Sequence, residues 1–406
     1  MQRSQTENRA RELVVERGAS TFPAESSPES RTSRTSWSEG FLADFFGVLL
    51  LFFLVAGDRV PDVNEPHYWT KASHFWNPDF GQGDLFLASG NAHWLFYVTL
   101  GSLTMILPMT AAVWVGRGVL WLLLAWGWTW MMRGIWSSQG QACRYPWVGT
   151  LTAAGWLAGM FWGHLAGEWV LGGAEAKVAA YGFLFAAFGY FFRQRWTVGW
   201  LCLGVAGAFH IVVRGWGFIS SIVLSYLLAD CNRRGMSDWL SKHGKGAMLA
   251  MAGLLVGILP PLVADWGMPK ELTTQAAYIQ VYKRLGHHLA PTLMNPVRWQ
   301  SHLELLLIAI GLVVAVARFS LPQRVAAQGS EVGSKTAKPL LFPGILWGVR
   351  WMLGLAIFGL SLALLGCLVD LGALQGFWTQ ESSARILKYY WFRWNDVAIP
   401  IWVATA

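Results

Sequence analysis

The 406 residues are 54% hydrophobic and 13% charged and carry a net charge of +8, with a mean hydropathy of +0.38. That composition excludes an ordinary water-soluble domain, and apolar runs that are continuous rather than alternating exclude a β-barrel. The excess of bases does not point to nucleic acid, because Lys and Arg stand singly or in pairs between apolar runs instead of forming a patch.

Residues 1–40 come first. Six Arg balance six Glu among Ser and Thr, with almost no periodic apolar pattern, so a disordered cytoplasmic tail is expected. It is not a signal peptide, since the first apolar run begins only near Phe41 and no small-residue cleavage site follows it. From 41 to 406 the chain reads as one all-α polytopic transmembrane domain. Apolar runs fall at 41–57, 94–116, 118–136, 148–166, 178–192, 197–213, 216–230, 247–264, 302–318 and 344–369. With about 20 residues needed to cross the hydrocarbon, they predict about nine to ten spans. A last run, Val397 to Ala406, is too short to span and reads either as a partial helix or as a chain cut short relative to a longer parent. The segment 321–342 is rich in Gln, Gly, Ser and Lys and reads as a flexible loop. Many of the 26 Trp are expected to mark helix ends at the membrane–water interface. The four Cys show no C-x-x-C pair and imply neither a disulfide framework nor a zinc site.

The stretch after the first run, 58–97, stands out. It holds Asp58, Asp62, Glu65, Asp79 and Asp84 against Arg59 and Lys71, with His67, His74 and His93, interleaved with aromatic residues. A plain hydrated loop has no need of that interleaving, and the stretch reads as the acidic lip of a site at the membrane surface. Short-loop bases set the topology. If 94–116 does not span, so that the first outer loop is 58–116, then 133–147, 193–196 and 231–245 lie inside with eight bases against two outside. If it spans, the count reverses, so the positive-inside rule selects the first arrangement, with the amino terminus in the cytoplasm of a bacterial-type inner membrane. Pro108 within that run agrees with a broken or in-plane segment.

This parity brings the ionisable groups to one side: Asp62, Glu65 and His67; Glu168, Glu175 and Lys177; His210 and Arg214; Arg284, His287 and His288; and Lys388 to Arg393. Asp62 and Glu65, three apart, suit a general base or an oxygen-ligand site for a divalent cation, while Asp62 capping a short helix is the plainer alternative. Glu168 would face them across the outer loops, and Glu175–Lys177 reads either as part of that site or as a surface pair. His210 and Arg214 share a helix face, and a guanidinium there suits a phosphate partner. Lys283, Arg284, His287 and His288 likewise suit phosphate or pyrophosphate.

Asn64-Glu65-Pro66-His67-Tyr68-Trp69, followed by Lys71-Ala72-Ser73, resembles the Asp-Glu-x-His-Phe motif of protein O-mannosyltransferases, and Asn91-Ala92-His93-Trp94-Leu95 resembles their later Asp-x-His-Pro-Pro-Leu. The order of features from about 41 to 230 is similar to the GT-C superfamily of integral-membrane glycosyltransferases. The chain departs where the family's catalytic Asp falls: Asn64 stands there, and an amide cannot accept a proton at neutral pH. The resemblance implies a GT-C-like helical bundle with in-plane helices in the first outer loop. It also implies an enzyme taking a polyprenyl-phosphate-linked sugar to an acceptor outside the cytoplasm. Glu65 or Asp62 would be the base, and Arg214, Arg284, His287, His288 and Lys177 would hold the donor phosphate. Asn64, His67, Tyr68, His93, Glu168, Glu175 and His210 would line the substrate pocket. A transporter or flippase of an anionic lipid or sugar, and a non-catalytic scaffold, are the rival expectations.

Overall fold

A computed structural model describes residues 29–62, 64–137, 143, 145–228, 235–264, 266–329 and 343–406, and side chains for most of these. Among the described residues the regular structure is helical, with no strand. The principal helices are α1 (Glu29–Ala56), α2 (Glu65–Trp76), α3 (Trp94–Val98), α4 (Met109–Ile135), α5 (Val148–Gly163), α6 (Ala176–Phe192) and α7 (Trp196–Phe209). There follow α8 (Ile211–Leu228), α9 (Met236–Val263), α10 (Lys270–Tyr278), α11 (Pro296–Gly329), α12 (Pro343–Leu374), α13 (Gln380–Leu387) and α14 (Arg393–Thr405). The core and the ionisable cluster belong to one compact unit, 40–406.

Among the described residues, five helices are long and apolar enough to cross a membrane: α4, α8, α9, the Pro296–Arg318 part of α11 and the Trp347–Leu374 part of α12. Three shorter apolar helices, Gly40–Ala56, α6 and α7, accompany them. The protein is thus a multi-pass membrane protein, with five such helices among the described residues beside the nine to ten spans expected. A 17-residue helix such as α6 rises about 26 Å, at the short end of what crosses a bilayer.

Several boundaries differ from expectation. The runs 94–116 and 118–136 do not divide at Arg117. Residues 94–105 form the short α3 and a 3-10 turn, Leu100–Met105. Pro108 then stands at the amino-terminal cap of α4, where its missing N–H costs no helical bond. Of the tail expected to lack structure, residues 29–39 are helical and 1–28 lie outside the described residues. Of the loop 321–342, α11 extends to Gly329 and 330–342 lie outside the described residues.

The core is built from tryptophan more than the interface argument allows. Trp69, Trp128, Trp156, Trp200, Trp351 and Trp402 are fully buried. Trp128 stacks on Trp156 with ring centroids 4.5 Å apart, and its Nε1 donates to the Gly149 carbonyl at 2.9 Å. A buried indole is stable when its N–H finds such an acceptor. Helices close on one another through small residues: a Cβ at Gly127 of α4 would lie 2.2 Å from the Gly182 carbonyl oxygen of α6. Helix approach of this kind drives association where lipid removes the hydrophobic incentive.

Two buried ion pairs anchor α4, sixteen residues and so about 24 Å apart along its axis. Near its end, Arg133 pairs with Asp44 of α1 at 2.7 Å. The other oxygen of Asp44 accepts the Gly149 and Thr150 amides that open α5. Near its start, Arg117 pairs with Glu65 at 2.6 Å. The second pair belongs to the end of the bundle that carries the 58–97 stretch, the loop end. Arg193, which donates to the Trp130 and Gly189 carbonyls at 2.8 Å, belongs to the opposite end with Arg133. A second, smaller core at the loop end gathers Leu165, Ala166, Ala277, Val281, Leu289, Leu387 and Phe392.

Candidate functional site

The site is organised around the start of α2. Glu65 opens that helix with Pro66 behind it, and its side chain is 0% exposed. Oε1 accepts from Arg117 Nε at 2.6 Å and from the Ala174 amide at 2.7 Å. Oε2 accepts from Arg117 Nη2 at 2.7 Å and from the Asp62 amide at 2.7 Å. The third arm of Arg117 reaches the Asp58 carbonyl at 2.6 Å. A bidentate guanidinium and two amides meet the hydrogen-bonding capacity of a carboxylate. The amino-terminal cap of α2 is Asn64, and the Asp62 N–H two residues earlier donates to Glu65 Oε2. Gly173 makes room for this, since a Cβ there would meet Glu65 Cγ at 2.5 Å.

From this latch the first loop reaches the 164–175 connection. Asn64 Nδ2 donates to Glu175 Oε1 at 3.2 Å, and Glu175 pairs with Lys177 at 3.2 Å. The two are buried, which removes the surface-pair reading. The Tyr68 ring lies 5.0 Å from that of His93, and His93 stacks on His210 at 5.1 Å, 16° from parallel. Burial pushes the Tyr68 phenol well up, with Glu175 adding to the effect. Burial lowers His93 to about 4, and lowers His210 in the same sense with His93 contributing. Both rings are therefore neutral at ordinary pH. His67 is exposed and meets the edge of Phe86 at 5.5 Å.

Glu168 continues the cluster. Its Oε2 lies 3.0 Å from Arg393 Nε, and its Oε1 accepts from Tyr181 Oη at 3.4 Å. Arg393 lies flat over Tyr390 at 3.9 Å. Asp396, one turn further along α14, accepts the amides of Leu165, Ala166 and Glu168 and so ties this connection to α14. His288 Nδ1 donates to the Ala166 carbonyl at 2.5 Å, and burial, with His287 next in weight, lowers it to about 4.

The structure therefore brings together Asn64, Glu65, Asp62, Tyr68, His93, Glu168, Glu175, Lys177 and His210, with His288 on the far side of the same 164–175 connection. Arg284 and His287 are exposed; His287 meets only the edge of this group, its ring 4.0 Å from that of His288, and no contact joins Arg284 to it. Arg214 lies on α8, and its side chain is outside the described residues. A neutral His288 offers no charge to a phosphate. Among the described residues, no group of three or more His, Cys, Asp or Glu is arranged to hold a metal ion. Four N–H donors on Glu65 also suit an anion-pairing role and not a cation ligand.

Four important groups are not singled out by sequence. Arg117 sits where two apolar runs meet. Asp396 lies beside the last run. Asp370, which accepts from Tyr282 Oη at 2.9 Å and from Thr292 N and Oγ1, follows another. Lys71 lies inside the motif-like stretch without a part of its own there, yet its Nζ is buried among the carbonyls of Phe86, Leu87 and Ser89. A single charge within or beside an apolar run is the available signal. Comparison with known proteins finds no matching family, no matching curated protein and no matching solved structure.

Proposed function

We propose that this chain is a membrane transferase that moves a sugar from a polyprenyl-phosphate donor to a hydroxyl or amine acceptor at its loop end. The observation that supports the reading is the meeting of distant segments in one polar cluster: Asn64 on Glu175, Tyr68 on His93, His93 on His210, and Glu168 on Arg393. Ionisable groups buried near a membrane face are costly and mark sites of action.

In this reading Asp62, half-buried beside Gly172, is the general base. Glu65, put forward for the same part by the motif resemblance, has both oxygens committed to N–H donors and serves as a positioning residue for the Asp62 main chain. Asp62 takes the acceptor's proton, and the acceptor atom bonds to the anomeric carbon. The bond from that carbon to the phosphate oxygen breaks, and its electron pair leaves on the polyprenyl phosphate. Lys177 and Arg393 are the cluster's cations toward the developing charge.

The test is transfer from radiolabelled polyprenyl-phosphate sugars in proteoliposomes. Asp62→Asn should reduce transfer about 10²–10⁴-fold while donor binding is retained. Full activity in that variant removes Asp62 from the mechanism. No transfer by the unaltered protein across a panel of sugars removes the enzyme reading.

A further inference from the structure

A separate feature lies between α10 and α13. These two short helices pack on each other and frame an open cavity of about 500 Å³ lined by Lys270, Thr273, Thr274, Ser382, Arg385, Ile386, Lys388 and Tyr389. The lining follows helical spacing. Lys270, Thr273 and Thr274 share one face of α10; Ser382, Arg385, Ile386 and Tyr389 repeat at i, i+3, i+4 and i+7 along α13 and just beyond it. Three cations and four hydroxyls thus face one space. The acids of these helices, Glu271 and Glu381, do not line it. The cavity shares no residue with the cluster around Asp62.

We propose that this cavity is a binding site for a phosphate monoester. An arginine supplies paired donors to two phosphate oxygens, lysines supply point charges, and the hydroxyls supply the remaining donors. The cavity is of the size that small ligands occupy, about 300–1,000 Å³. Its position points to a source. Lys270 follows the end of the α9 span at Val263, and Gln380 follows the end of the α12 span at Leu374, each by only a few residues. The connections between carry outward-facing aromatic residues, Trp266 at 86% exposed and Phe377 at 79%. Aromatic rings at the ends of spans settle at headgroup level, which sets the three cations where a phospholipid headgroup lies. A soluble phosphate offers the same chemistry.

The experiment uses the full chain in detergent, titrated separately with short-chain phosphatidic acid, with phosphatidylcholine and with inorganic phosphate. Lys270→Gln/Arg385→Gln/Lys388→Gln is compared with Lys283→Gln, which removes an exposed cation outside the cavity. Phosphatidic acid is expected to bind at least tenfold more weakly to the triple variant and unchanged to the control, with phosphatidylcholine not binding. Arg385→Gln alone, at an exposed position where folding is not at stake, should lose about threefold. Phosphate binding with the same dependence on the three cations and no lipid binding assigns the site to a soluble anion. Binding of neither probe, or equal binding to the triple variant and the unaltered chain, overturns the proposal.

Discussion

Glu65 and Arg117 are buried against each other, 0% and 1% exposed, and each oxygen of the carboxylate takes one N–H of the guanidinium and one main-chain amide. The pair joins the first loop, the α4 helix and the 164–175 connection through a single side-chain contact. Its first consequence concerns Glu65→Gln. The amide keeps the shape and leaves Arg117 with a buried charge, a loss of about 3–5 kcal/mol. Thermal unfolding in detergent should show Glu65→Gln and Arg117→Met each markedly destabilised. The double variant should be less destabilised than their sum by roughly 2 kcal/mol. Simple additivity would show that the pair carries no coupling.

Gly173→Ala probes the same latch without touching a charge. The new Cβ would fall 2.5 Å from Glu65 Cγ, so the side chain or the 164–175 connection must shift. The expected outcome is a lower melting temperature together with faster amide exchange at Ala174 and Asp62. An unchanged exchange rate at both would show that the connection yields freely.

Lys71 holds the 84–89 turn by its ammonium group, through the carbonyls of Phe86, Leu87 and Ser89. Lys71→Met keeps the stem and leaves those carbonyls without their donor, at about 1–3 kcal/mol. Limited proteolysis should then cut within 79–92 at least several-fold faster than in the unaltered protein. An unaltered cleavage pattern would show that the turn holds without the lysine.

Acidification should loosen the loop end. His93 is held neutral by burial, near 4 against an ordinary value of 6.5, and His210 shifts in the same direction. Because the folded value is the lower one, the unfolded chain takes up protons first as pH falls. Stability is complete above about pH 6.5 and declines toward pH 4, with His93 alone accounting for about 2 kcal/mol by pH 5. The melting temperature measured from pH 7.5 to 5 should fall, and His93→Gln should flatten the slope. A slope that does not change in the variant would exclude this imidazole as its source.

The sequence exposes what lies in connections and conceals what lies in helices. Glu168, Glu175, Lys177 and His210 are legible because they stand at the borders of apolar runs whose parity sets them at one end, and they do meet there. Arg117 reads as a boundary, since a lone charge ordinarily ends an apolar run. Its partner lies 52 positions upstream, and nothing local announces that distance. Asp44 and Asp396 are hidden in the same way, within or beside apolar runs, their acceptor work directed to the amides of α5 and of the 164–175 connection. The tryptophans mislead for a different reason. Interface preference belongs to isolated indoles, whereas Trp128 and Trp156 stack on each other inside the bundle and Trp128 places its N–H on a carbonyl there.

The two arginines of α4 also act as a ruler. Arg133 is fixed to Asp44 and Arg117 to Glu65, with a rigid helix between them. A piston stroke of α4 by even one residue would break both anchors together, whereas a tilt about either anchor strains chiefly the other. A rearrangement that keeps both pairs must therefore carry α4, the Asp44 turn of α1 and the start of α2 as one body, which makes these three segments a frame against which the other helices shift.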